Sequence, residues 1–235
     1  MRPDRRPTLS RREARSVYDG FAVKGHIGGK DAESGYGGPA IQALLTMAAF
    51  SAATSVLEFG CGQGKLAELV LARESAIGQW RCVDQSPEMA SRASERLRPF
   101  GDRATVVQLE DGDPSAVQVE PGSIDRFVST YVLDLLSEED MFAVLSTAER
   151  SLKPTGLLLL SGITYGYRLS LKTCFMTLVW ELLYRFKRKT VGGCRPQLLQ
   201  PYLESRGWKV ISRVQTLPTG FPWMASEVIC ATPPP

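Results

Sequence analysis

The stretch Val56-Leu57-Glu58-Phe59-Gly60-Cys61-Gly62-Gln63-Gly64-Lys65 constrains the fold more than any other part of the chain. An apolar run from Ser55 to Phe59 suits a buried strand, a helical pattern follows from Lys65 to Arg73, and three glycines stand at the junction. Glycine removes side chains where the backbone must turn sharply and where a ligand can come up against it. The helix beyond presents unpaired N–H groups and the positive end of its dipole to the same spot.

From that junction onward, short apolar runs alternate with helical stretches, which predicts an α/β domain with a mainly parallel sheet. Gln79 to Val83 reads as the second strand, and a helix with Pro87 near its first position runs to about Leu97. Ala104 to Leu109 and Ile124 to Thr130 follow as strands, the latter after the turn formers Pro121-Gly122-Ser123. Ser137 with Asp140 resembles a capping box and opens a helix to about Leu152. Lys153-Pro154-Thr155-Gly156 is expected to stop that helix, and Leu157 to Leu160 is apolar throughout, as for a strand covered on both faces. A helix begun by Pro196 over 196–206 and strands at Trp208–Gln215 and Ser226–Ala231 complete the pattern.

Asp84 stands at the end of the second strand, 20 residues after Gly64. A carboxylate there can accept hydrogen bonds from adjacent ribose hydroxyls, so the glycine turn and the distant acid form one constellation. A nicotinamide site would show GxGxxG, yet the third position after Gly62 is Lys65 and the actual spacing is GxGxG, with Glu58 two residues ahead. At these residues the chain resembles the class I S-adenosylmethionine-dependent methyltransferases, from about Tyr18 to the C-terminus and most clearly over 55–162.

That resemblance implies a Rossmann-like three-layer α/β sandwich on a mainly parallel, seven-stranded sheet, with an N-terminal cover and a helical insertion before the last helix. It implies a helical cover over the cofactor (16–50) and the methyltransferase domain (51–235) with a lid-like insertion at about 164–195, while the run of arginines in residues 1–15 reads as a basic, flexible tail. S-adenosylmethionine would be the cofactor and S-adenosylhomocysteine the product. Gly60, Gly62 and Gly64 would surround the methionine and sulfonium part, Asp84 would hold the ribose, and Glu58 the methionine end. Asp113 would read the adenine amino group, with Asp111 left open because Pro114 has no N–H to offer the ring. Tyr18, Cys61, Gln85, Gly112, Ser129 and Thr130 would complete the cofactor site. Asp84 and Asp113 as mere caps of the turns that follow them is the competing reading.

Tyr131 and Asp134 lie where the family faces the transferring methyl, and His26, the only histidine, sits in the glycine-rich segment that would fold over the cofactor. These are the candidate catalytic residues, His26 as a general base. The competing readings are a packed aromatic, a surface helix-start residue and a surface loop histidine. The stretch Ser129–Asp134 lacks the Asn/Asp-Pro-Pro-Tyr pattern of nucleobase methylation, and net charge is only +3 with the excess at the arginine-rich start, so a nucleic-acid partner is disfavoured.

The layout is similar to the group that holds the ubiquinone and menaquinone C-methyltransferases. It implies in-line transfer to a small lipophilic or aromatic acceptor at O, S or C. A silent cofactor-binding partner protein is the alternative, and a nicotinamide oxidoreductase the third reading. The five cysteines include no CxxC pair, so no metal is expected, and no signal-peptide pattern opens the chain, which reads as cytoplasmic. The apolar stretch Leu169–Phe186 is expected as a lid or acceptor wall ahead of a dimer interface, with membrane contact through 169–189 the least favoured option, in a chain that is a monomer or a homodimer.

Overall fold

The computed structural model describes residues 8–24, 37–165, 170–217 and 224–235. At its centre lies β1 (Ser55–Phe59), buried at every position because it has a parallel neighbour on each side and helices on both faces. β2 (Gln79–Asp84) and β3 (Ala104–Gln108) extend the sheet in one direction, β4 (Ile124–Thr130) and β5 (Leu152–Ile163) in the other. β6 (Lys209–Thr216) and β7 (Ser226–Thr232) complete it, β7 antiparallel to β5 and β6 antiparallel to β7 at the edge. The resulting order is β3-β2-β1-β4-β5-β7-β6, the mainly parallel seven-stranded sheet expected.

Alternation along β1 assigns the helices to two layers. Leu57 and Phe59 join the apolar cluster that holds Met141 and Leu145 of α5 (Glu138–Ser151) and Leu203 of α7 (Gln200–Ser205). Val56 joins the opposite cluster, with Leu44 of α2 (Gly37–Ala48), Val70 of α3 (Lys65–Leu71) and Ala93 of α4 (Pro87–Leu97). Two helices stand outside these layers, α1 (Arg11–Lys24) and α6 (Leu171–Lys187). Local chemistry explains the helix starts: Ser86, Ser137 and Ser170 each accept a hydrogen bond from a backbone N–H of the first turn.

Three boundaries differ from expectation. Lys153-Pro154-Thr155-Gly156 does not separate α5 from a later strand; Leu152 already pairs with Ile124, and the ladder resumes at Leu157 opposite Arg126, so the four residues form a bulge within β5. α7 begins at Gln200 rather than Pro196, because the N–H groups of Arg195 and Gln197 donate to Asp134 and Ile163 carbonyls instead of to a helix. α1 begins at Arg11, inside the stretch expected as a tail, where Arg11 and Arg15 bond to Asp140 and to the Glu110 carbonyl.

The chain ends of β1, β4 and β5 meet at Asp125. Its Oδ2 accepts from the Thr54 N–H (2.9 Å), the Thr54 hydroxyl (2.9 Å) and the Ser55 N–H (3.1 Å), and its Oδ1 from Lys153 Nζ (2.7 Å). Partial burial opposes ionisation, but the Lys153 and Thr54 bonds outweigh it and hold the carboxyl well below the ordinary carboxylate range. A depressed folded value contributes stability that is present above the unfolded pKa, about 3.9, and fades as pH falls below it. Asp125→Ala is therefore expected to cost ~2–3 kcal/mol in urea unfolding at neutral pH, with the gap to the parent closing below about pH 4.

Candidate active site

The order of strands reverses at β1, which leads to β2 on one side and β4 on the other, and such a switch opens a crevice at the strands' carboxyl ends. A cavity of about 350 Å³ fills it. Gly60 and Gly62 form its floor, both with positive φ (+74° and +52°), a region that favours glycine. A Cβ on Gly60 would lie 2.2 Å from Val132 Cγ2, whereas the Cβ direction of Gly62 meets nothing within 4 Å. The Gly62 backbone is thus open to close approach.

Asp84 braces that turn. Its Oδ2 accepts the Gly62 N–H (2.8 Å) and its Oδ1 the Ser86 N–H (2.9 Å). Burial pushes its pKa up, against the pull of those N–H bonds. Each carboxylate oxygen has a second lone pair, so the group can still accept hydroxyls from the cavity that it lines. Beyond it, the Gln85 side chain occupies the space in front of Gly112, where a Cβ would come 2.3 Å from Oε1.

The other walls are apolar and come from distant parts of the chain. Val132, Leu135 and Leu136 follow β4, and Leu9, Ala14 and Tyr18 belong to the segment around α1. α1 is tied down by Ser86 Oγ donating to Asp19 (2.5 Å) and by Arg11 against Asp140 (2.5 Å). Tyr18 reaches Cys194, its hydroxyl 3.7 Å from the sulfur, and both line the cavity. Tyr131 has φ +56°, an uncommon conformation for a bulky residue, and its hydroxyl meets the Ser226 hydroxyl at 2.9 Å. Burial raises the Tyr131 phenol and the Cys194 thiol, so both stay protonated near neutral pH.

Of the residues singled out from sequence, Tyr18, Gly60, Gly62, Asp84, Gln85, Gly112, Thr130 and Tyr131 line the cavity. Seven other candidates stand outside it. Glu58 points to the opposite face of β1, where its Oε2 accepts from Trp80 Nε1 (3.0 Å) and faces Cys82 Sγ at 3.8 Å. Burial lifts its carboxyl to about 8, and its side chain packs in the core rather than on the cavity wall. Cys61 is buried next to Cys82, Gly64 packs on Ala93 and Leu97, and Ser129 donates to the Phe59 carbonyl (2.9 Å). Asp113 caps the turn at Ser115 (3.0 Å) near Arg11, and Asp111 is exposed.

Asp134 is fully buried, not a surface helix start; Ser137 is the cap that opens α5. It accepts the Ile163 N–H (3.3 Å), its other oxygen has no partner among the described residues, and burial raises it to about 6. It does not line the cavity. His26 lies outside the described residues. Sequence reasoning missed Leu9, Met89, Leu136, Asp140 and Cys194; apolar wall residues carry no local signature, and the Arg11–Asp140 pair spans 129 positions.

The sequence profile of the family described as "Methyltransferase domain" matches residues 56–156. An uncharacterized methyltransferase of Geobacillus sp. (strain WCH70) is 31% identical over 110 residues, 47% of each chain, so the match spans about half the length of that relative. Among solved structures, the [4+2]-cyclase SpnF superposes with a TM-score of 0.72 at 14% identity, covering 97% of this chain and 98% of that one. The N-methyltransferase NodS from Bradyrhizobium japonicum WM9, solved with S-adenosyl-L-homocysteine, gives 0.67 at 15% identity, covering 93% and 99%. At such identities these two likenesses establish a common fold.

The raised carboxyl of Glu58 has a measurable sign. Its folded pKa, about 8, exceeds the unfolded value of about 4.3, so the folded state holds the proton more tightly and stability declines as pH climbs from about 4.5 to 8. Glu58→Gln, which keeps shape and neutrality, is expected to flatten that decline and to be more stable than the parent at pH 8 by about 1 kcal/mol or more in urea unfolding.

Proposed function

With residues 56–156 a methyltransferase domain set in a Rossmann-like α/β sheet, we propose that the chain binds S-adenosylmethionine at the Gly60–Gly62 turn and passes the methyl group to a small lipophilic acceptor. The observation that carries this reading is the cavity itself, with an open glycine backbone and a buried carboxylate at one end and an apolar chamber at the other. A bound sulfonium supplies an electrophilic methyl, which moves to an acceptor nucleophile as its bond to sulfur breaks and S-adenosylhomocysteine leaves.

Asp84 orients the nucleoside by accepting ribose hydroxyls, its own geometry locked by the Gly62 and Ser86 N–H groups. The strand-end glycines let the amino-acid end lie against bare backbone, and Gln85 with Gly112 borders the base. Tyr131, Leu135 and Leu136 with Leu9 and Cys194 enclose the acceptor, and closure by α1 excludes water. Holding both reactants in line can supply about 7–11 kcal/mol of the barrier reduction.

The described cavity walls offer no ready base. Asp84 and Asp140 already accept strong hydrogen bonds, and burial keeps Tyr131 and Cys194 protonated. This favours an acceptor that loses its proton easily, such as a thiol or an acidic phenol, with reference pKa values of about 8.5 and 10.

In calorimetry, S-adenosylhomocysteine is expected to bind and NAD to give no heat. Asp84→Ala should weaken S-adenosylhomocysteine at least tenfold, and Gly60→Ala should abolish its binding, because the new methyl would drive Val132 into the site. Unchanged affinity in Asp84→Ala ends this assignment. A methyl-transfer screen over phenols, thiols and quinones with mass detection identifies acceptor and atom; tight binding with no turnover on any of them makes the chain a silent binding partner instead.

A further inference from the structure

Helix α6 is amphipathic in an unusual sense: both of its faces are apolar, but only one is covered. Thr173, Met176, Thr177 and Tyr184 are buried on the inner side, and Trp180 Nε1 donates to the Cys194 carbonyl (2.9 Å), which ties the helix to the roof of the cavity. The outer side carries Leu171, Phe175, Leu178, Leu182 and Phe186, between 50% and 90% exposed. Their spacing of four, three, four and four residues puts them on one stripe. Five aligned large hydrophobic residues in water are not the scattered exposure of an ordinary surface.

The charges around the stripe say what covers it. Over residues 171–190 there are five cations, Lys172, Arg185, Lys187, Arg188 and Lys189, against one acid, Glu181, and that acid accepts the Tyr165 hydroxyl (2.8 Å). At about 100° per residue, Lys172 and Arg185 border the stripe on opposite sides. Lys187 and Lys189 are exposed at the helix end, Lys189 lying 3.5 Å from Glu13 and Arg188 beside the Tyr184 ring. No helix among the described residues is long and apolar enough to cross a bilayer. An apolar strip flanked by cations is the composition that lies in the plane of a bilayer, with side chains at the acyl boundary and cations among headgroups.

We propose that the outer face of α6 docks in plane on an anionic lipid surface. The stretch that sequence alone assigns first to an acceptor wall, then to an interface and last to membrane contact is thereby a membrane contact on its outer face. The docking does not depend on the chemistry proposed above.

The test is co-sedimentation of the full chain with vesicles of phosphatidylcholine alone or mixed with phosphatidylglycerol. Binding is expected on the mixed vesicles, at least about tenfold weaker on phosphatidylcholine alone and in high salt. Two variants separate the contributions: Phe175→Ser/Leu178→Ser/Leu182→Ser removes the stripe, and Arg185→Glu/Lys187→Glu reverses the bordering charge. Each is expected to reduce mixed-vesicle binding about tenfold or more, with circular dichroism and Tm confirming the fold. Should the chain stay in the supernatant with mixed vesicles, or should neither variant change binding, the proposal is overturned. A concentration-dependent dimer that the serine variant abolishes would assign the face to a second copy and overturn it equally.

Discussion

The hydrogen bonds from the Gly62 and Ser86 N–H groups to Asp84 organise the upper edge of this molecule. They join the turn after β1 to the end of β2, so two strands that are paired along their length are also fastened where their chains depart in different directions. The turn can then hold its positive-φ glycines open toward the crevice. Ser86 passes the constraint on, capping α4 through the Met89 N–H while donating to Asp19 of α1. One carboxylate thus fixes the floor of the cavity and, through one serine, its cover.

A second carboxylate shows how little residue type alone reveals. Glu58 and Asp84 stand on adjacent strands, but Glu58 faces Trp80 and Cys82 inside the helical layer, whereas Asp84 faces the crevice. Position along the strand decides this: Glu58 pairs with Cys82 inside the ladder, whereas Asp84 is the last residue of β2, where the chain turns at the crevice. Burial without a compensating cation leaves Glu58 neutral, and a buried neutral carboxyl costs far less than a buried charge. Asp134 is also buried and its pKa raised, but less far, because the Ile163 N–H and Arg195 offset part of the burial.

Of the two helices outside the layers, α1 walls the crevice with Ala14 and Tyr18, while α6 meets its lining through the bond from Trp180 to Cys194. α1 is held by polar contacts at both ends of the cavity, to Asp140, to the Glu110 carbonyl and to Ser86. α6 is held by Trp180 and a small apolar cluster with Ile163 and Met224.

Much of the architecture was legible in the sequence, because it depends on short-range patterns. The apolar run of β1, the glycines after it, Pro87 at the start of α4, the Ser137 cap of α5 and the continuous Leu157–Leu160 run each imply an element by themselves, and alternating strands and helices imply the parallel sheet. Asp84 was readable for the same reason, since the end of β2 and the turn after β1 are brought together by the βαβ unit. What only the tertiary structure decided is which face each side chain serves. Glu58, Asp113 and Asp134 have the right chemistry in the right region, yet packing turns the first into the core, gives the second a turn to cap and seals the third behind the chamber wall. The apolar spacing of α6 is local, but that its stripe faces outward, like the Arg11–Asp140 closure, has no local signature, because direction and long-range contact arise only when separate segments compete for the same apolar surface.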